Sequence, residues 1–204
     1  MTPDFDLKSR VTKEAATLLY FGTEKEYKQA KVRAATTLGS HFLPSNLEVA
    51  LELNRIVEEN EGPKRKERLI EMRKQALIIM KFLEAYSPVV IGSVWRGTIR
   101  QGSDIDIAVY ADEPDEILRT LKTRGITISK TTWVTVNKQG KTLESYHIFA
   151  ETPQKNTLEI VVRKPEEAHE KRRCEIFGDE IKGLKIKQLE KLLEDNPTQK
   201  FLPH

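Results

Sequence analysis

Residues 91–110, IGSVWRGTIRQGSDIDIAVY, alternate aspartate with isoleucine at positions 104–107, inside a run that otherwise reads as a buried β-strand. Burying a carboxylate without a partner is costly, and two close together repel each other. In a strand, residues i and i+2 share a face, so Asp104 and Asp106 aim the same way while Ile105 and Ile107 enter the core. Their backbones lie about 6–7 Å apart, close enough for both carboxylates to converge on divalent cations, the usual way to keep such a pair ionised. Mg²⁺ suits an all-oxygen donor set and leaves places open for a substrate phosphate.

The other half of the stretch complements this. Gly92-Ser93 follows an apolar strand, so the turn can present backbone N–H groups to a phosphate, glycine permitting close approach and serine adding a hydroxyl. Gly92 and Gly97 have the four-residue gap of a P-loop, but Thr98-Ile99 stands where Lys-Ser/Thr is required, which excludes that motif. An EF-hand also fails, because Ala108 and Tyr110 supply no oxygen ligands in the required pattern. A Gly-Ser turn after one strand, followed by Asp-x-Asp on a second, is far more specific than either half.

These residues carry a resemblance. The stretch is similar to the signature of the DNA polymerase β-type nucleotidyltransferase superfamily: a hydrophobic residue, Gly-Ser or Gly-Gly, a spacer, then Asp-h-Asp/Glu-h. Its Arg-Gly-Thr and Ser-Asp-Ile-Asp elements resemble most the catalytic domain of archaeal CCA-adding enzymes. The match is strong over 89–110 and becomes general over 111–195. The resemblance implies that Asp104 and Asp106 bind two Mg²⁺ ions, Mn²⁺ serving as a substitute, that bridge an NTP triphosphate. It implies that Gly92 and Ser93 hold phosphates, with Ser103 beside them in the Ser-Asp-Ile-Asp element. A third carboxylate on a later strand is also implied. Glu159 in NTLEIVVR is the first candidate, although the family more often has Asp there, and Glu144 is the fallback. Arg96 and Arg100 can reach phosphate as bidentate donors or serve as surface ion-pair residues. Trp95 is read as packing before base stacking, and His147 as a core or face-lining imidazole before a catalytic base.

The implied reaction is in-line attack of a hydroxyl on the α-phosphorus of an NTP, ATP first, with release of pyrophosphate. CCA addition calls for further domains to grip tRNA, and residues 111–204 leave no room for them, so RNA and protein both stand as acceptors. The competing reading is a non-catalytic nucleotide-binding or regulatory module, such as an antitoxin-like partner protein. Superfamily members that lose catalysis typically lose one of the paired aspartates, and both are present here.

Around this signature the chain reads as α+β: a nucleotidyltransferase fold with a mixed, mostly antiparallel sheet and an N-terminal helical extension. Residues 1–87 are expected to be helical and 88–204 to form the catalytic domain. Ala15, Leu18 and Leu19, then Ala30, Ala34 and Leu38, recur at helical spacing, with breaks near Gly22 and Gly39. Ser45 and Glu48 form a capping box, and Gly62-Pro63 breaks the chain before a helix striped by Leu69, Met72, Ala76, Met80 and Leu83. Lys64–Arg68 forms a basic run, read as a solvated face before an anionic contact. Strands are expected at 88–93, 104–110, 126–137, 144–151 and 157–163, with a turn at 137–141. Helices are expected at 113–125, at 185–195 and at the start of 165–177.

The 204 residues are 32% charged with a net charge of only +3, so overall charge gives little reason to expect nucleic acid. The lone Cys174 cannot form an internal disulfide and favours a reducing, cytoplasmic setting. No apolar run approaches the roughly 18 residues of a membrane span. The four histidines, at 41, 147, 169 and 204, are scattered, which argues against structural zinc. The sequence leaves the oligomeric state open.

Overall fold

The computed structural model describes residues 3–138 and 141–203. The chain divides into two compact units. The first comprises residues 1–65, Arg173–Glu180 and the last two residues; the second comprises Lys66–Arg172 and Ile181–Leu202. The change from helical to strand-like sequence lies near 87, whereas this division falls at 65/66.

The first unit contains α1 (Pro3–Tyr20), α2 (Tyr27–Thr37) and the opening part of α3 (Asn46–Phe82). Its core is built largely from small residues, Val11, Ala15, Ala16, Ala30 and Ala34, with Leu19, Val49 and Ile56. Alanines at the expected helical spacing let helix backbones approach closely. The capping box forms as expected: Ser45 N–H donates to Glu48 Oε2 at 2.7 Å and Glu48 N–H donates to Ser45 Oγ at 3.1 Å. Glu48 also binds Lys8 Nζ at 2.6 Å, and these bonds hold its carboxyl down at about 2. Helix α3 is broken where the Gly-Pro pair sits, with Gly62 at φ 47° and ψ −130°. Within the basic run Arg65 is buried, its Nη1 on Glu58 Oε2 and its Nη2 on Asn54 Oδ1, each at 2.7 Å. That member of the run is therefore a packed ion-pair residue.

The second unit is a six-stranded sheet backed by helices. Its strands are β1 (Val89–Ile91), β2 (Ile105–Tyr110), β3 (Thr127–Lys138), β4 (Lys141–Glu151), β5 (Thr157–Arg163) and β6 (Leu184–Lys185). Their order is β3-β4-β5-β2-β1-β6; among the described residues β2–β5 is parallel and the other pairs are antiparallel. The expected mixed, mostly antiparallel sheet is thus observed. The five-residue α4 (Gly92–Arg96) follows β1 directly, α5 (Pro114–Thr123) joins β2 to β3, and α6 (Ile186–Asp195) closes the chain. Gln139 and Gly140, the tip of the expected 137–141 turn, lie outside the described residues.

Strand alternation divides the sheet into two faces. Ile105, Ile107, Val109, Leu158, Ile160, Val162 and Ile148 pack against Leu69, Met72, Ile79, Met80, Ile117, Leu121, Leu189 and Leu192 of the helices. The opposite face carries Asp106, Glu159 and His147. The short β6 has no counterpart among the expected elements. Residues 165–177 form only a 3-10 turn at Pro165–His169, after which the Cys174 N–H bonds to the Asp179 carbonyl in a hairpin closed through Gly178 (φ 74°). No helix among the described residues is long and apolar enough to cross a membrane.

Arg73, in the second part of α3, is fully buried. Its guanidinium donates to four carbonyls: Val94 O (3.0 Å), Trp95 O (2.9 Å), Pro197 O (2.7 Å) and Gln199 O (2.9 Å). Burial pulls its pKa down to about 10. The planar fork satisfies carbonyls of α4 and of the C-terminal segment at once, which a lysine ammonium cannot reproduce. Arg73→Lys is therefore expected to destabilise the protein by about 2–3 kcal/mol, measured by urea unfolding, without altering the helix content of the folded state.

Candidate active site

Gly92 sits where β1 turns into α4, at φ +66°, paired through its neighbour Ile91 with Asp106 on β2. A Cβ at this position would lie 1.9 Å from Asp106 Oδ2. Two independent constraints therefore demand glycine: the positive φ and the carboxylate pressed against its Cα. Ser93 follows in the first turn of α4, half-buried, its carbonyl accepting from the Thr98 N–H at 3.0 Å.

The intervening segment returns the chain to β2. Arg100 N–H donates to Ser103 Oγ (2.9 Å), and Ser103 N–H donates to the Arg100 carbonyl (3.0 Å). Ser103 thus shapes the turn that delivers Asp104. Arg100 is half-buried in that turn, whereas Arg96 is buried. Arg96 Nη1 donates to the Phe201 carbonyl at 3.0 Å, and its guanidinium lies 4.4 Å above the Trp95 ring. Trp95 is itself buried and stacked on Phe201, in keeping with packing.

Asp104, exposed, immediately precedes β2, and Asp106 lies one residue inside it. The parallel register sets Asp106 directly beside Glu159 of β5. Glu144 is exposed on β4, where it pairs with Thr135. Burial first, then the charges of Glu159 and Asp104, push the Asp106 carboxyl from its ordinary 3.8 up to about 8. The Asp104 carboxylate accepts from Thr157 Oγ1, and Glu159 Oε1 lies 2.6 Å from His147 Nδ1.

Among the described residues, no three His, Cys, Asp or Glu side chains are gathered in a cation-ligating arrangement. The donor chemistry nevertheless fits a hard divalent cation: three carboxylates, two of them adjacent across strands, with one carboxyl raised by burial and then by its acidic neighbours. His147 lines the sheet face, as the sequence suggests, but its bond to Glu159 is not foreseen there, and Thr157 is a site neighbour that the sequence does not single out. Both are brought in by cross-strand register, which no local pattern displays.

The chain belongs to the nucleotidyltransferase domain family, which it matches over residues 72–200. No curated protein matches it significantly. Among solved structures, a cytoplasmic RNA terminal U-transferase aligns at 14% identity and TM-score 0.34, over 57% of this chain and 34% of its own. Two others are the non-canonical poly(A) polymerase complex GLD-2–GLD-3 (14% identity, TM-score 0.33) and the GLD-2/RNP-8 complex (12%, 0.34). They align over 59% and 60% of this chain and 41% and 38% of their own. The chain spans less than half the length of these three relatives. The family match establishes the nucleotidyltransferase superfamily without a specific link to CCA-adding enzymes.

Because folded Asp106 holds its proton more tightly than the unfolded chain does, its contribution to stability is complete below 3.8 and is lost as pH rises through about 8. In chelator-treated protein the Tm is expected to fall across that window, and Asp106→Asn to flatten the decline. Thermal melts of both proteins over a pH series provide the check, an identical slope counting against the charge cluster.

Proposed function

We propose that this protein is a metal-dependent nucleotidyltransferase that moves NMP from an NTP, ATP first, to an acceptor hydroxyl on RNA or protein. The observation that carries this reading is the β2–β5 register, which sets Glu159 beside Asp106 while the Gly92 backbone touches Asp106 from the other side. Asp104, Asp106 and Glu159 are the residues that would hold Mg²⁺, or Mn²⁺ in its place. When bound, such cations neutralise triphosphate charge and acidify the attacking hydroxyl.

The chain's own groups position the reactants. Gly92, having no side chain, makes room for the Asp106 carboxylate against its backbone, and the Ser93 hydroxyl beside it is a donor for a phosphate oxygen. Arg100 supplies a fixed positive charge near the entry to β2, whereas Arg96, committed to Phe201, supports the turn from behind. The acceptor oxygen bonds to the α-phosphorus as the bond from that phosphorus to the bridging oxygen breaks, and pyrophosphate leaves. The hydroxyl proton passes to a carboxylate of the cluster, Glu159 being the one on the later strand, or to solvent. The family match over residues 72–200 supports the reaction class.

Incorporation of label from α-labelled NTPs into RNA and protein acceptors tests this reading, with pyrophosphate release measured in parallel. Asp106→Asn is expected to lower incorporation by at least about 100-fold while the protein remains folded. Saturable NTP binding without product from the unaltered chain would instead favour the non-catalytic nucleotide-binding or regulatory module.

A further inference from the structure

Glu159 is held from the strand beside it. His147 on β4 pairs with Val161 of β5, so its imidazole lies on the same sheet face as Glu159, with Nδ1 2.6 Å from Oε1. The other ring nitrogen, Nε2, is 2.9 Å from Ser145 Oγ, two residues back on the same strand and face. The ring also lies nearly parallel to Phe149, with centroids 6.4 Å apart and planes 27° from one another. Both partners are largely shielded, with side chains 18% and 23% exposed. An ionised carboxylate only accepts, so Nδ1 carries the hydrogen whether the ring is neutral or charged.

A glutamate side chain has enough rotamer freedom that ordering it carries an entropic cost. A hydrogen bond that fixes one oxygen in the free protein removes much of that ordering from a later binding event. We propose that His147 is a positioning residue for Glu159: its Nδ1–H holds Oε1, leaving Oε2 as the oxygen offered to a divalent cation shared with Asp106. Ser145 anchors the far ring nitrogen, and Phe149 sets the ring plane. This inference rests on Glu159 being the third ligand, as read above.

The test is calorimetric titration of the full chain with Mn²⁺ alone, which reads the site without turnover. His147→Ala is expected to weaken Mn²⁺ binding by about 10-fold or more. His147→Asn, whose side-chain N–H falls near the place of Nδ1, is expected to recover most of that loss. His147→Gln, which reaches instead toward the place of Nε2, is expected not to. Circular dichroism confirms that each variant is folded. Should His147→Ala fail to fold, the Asn and Gln variants decide, equal affinities overturning the proposal. Unaltered Mn²⁺ affinity in folded His147→Ala, with binding lost in Glu159→Gln, overturns the positioning role and leaves the metal site standing. No uptake by the unaltered chain, or uptake indifferent to Glu159→Gln, overturns the ligand reading and the inference together.

Discussion

Parallel pairing of β2 with β5 puts Asp106 and Glu159 shoulder to shoulder, with Gly92 closing the space on the far side of Asp106. Side-by-side carboxylates in a half-shielded setting are unfavourable, and the protein tolerates them only because the rest of the sheet makes the register hard to change. Shifting either strand by one residue would drive Ile105, Ile107, Leu158 and Ile160 out of the core. The apolar face therefore dictates where the acids stand, and the acids inherit a proximity they would not adopt alone. Stability on one side of the sheet thereby maintains electrostatic tension on the other. A site intended for a multiply charged ligand benefits from such tension, since the opposing charge of the ligand relieves it.

Support for the turn that carries Gly92 comes from a different direction. α4 is too short to hold itself, and Arg73 satisfies carbonyls at its end while reaching into the segment around Pro197 and Gln199. Arg96 and Phe201 bond to each other twice, through the Arg96 carbonyl and through its guanidinium. At Gly97 (φ +72°) a Cβ would lie 2.8 Å from the Gln199 carbonyl, so this glycine too is required by close packing. Burial separates the two arginines of this segment: Arg96 is buried and bonds the Phe201 carbonyl, while Arg100 is half-buried.

Much of this architecture is legible in the sequence wherever a rule acts over a few residues. The Ser45–Glu48 box and the Gly62-Pro63 break each announce local geometry and appear where expected. The strand expected through Ser93, by contrast, ends at Ile91 and gives way to α4, and Asp104 lies just ahead of β2. Features set by distant partners are not visible in this way. His147 meets Glu159 only because a hairpin fixes the β4–β5 register, and Arg73 looks like any helical surface charge until four carbonyls surround it. The two-residue β6 is too short to show a period, and residues 165–177 show a helical composition that Gly178 and the bridge between Arg173 and Glu180 divert. What a short window cannot encode is which strands become neighbours.

The union of Arg73 and Arg96 with residues 197–201 also bears on the order of events during synthesis. A chain emerging from the ribosome folds from its N-terminal end as material becomes available. Helix α3 and the strand carrying Val89–Ile91 are made well before the segment that supplies Pro197, Gln199 and Phe201. Until that segment arrives, two donors of a buried guanidinium lack acceptors and α4 lacks its brace. The brace on the glycine turn therefore forms only once residues 197–201 have left the ribosome, so a partly made chain carries the acids before it carries that support.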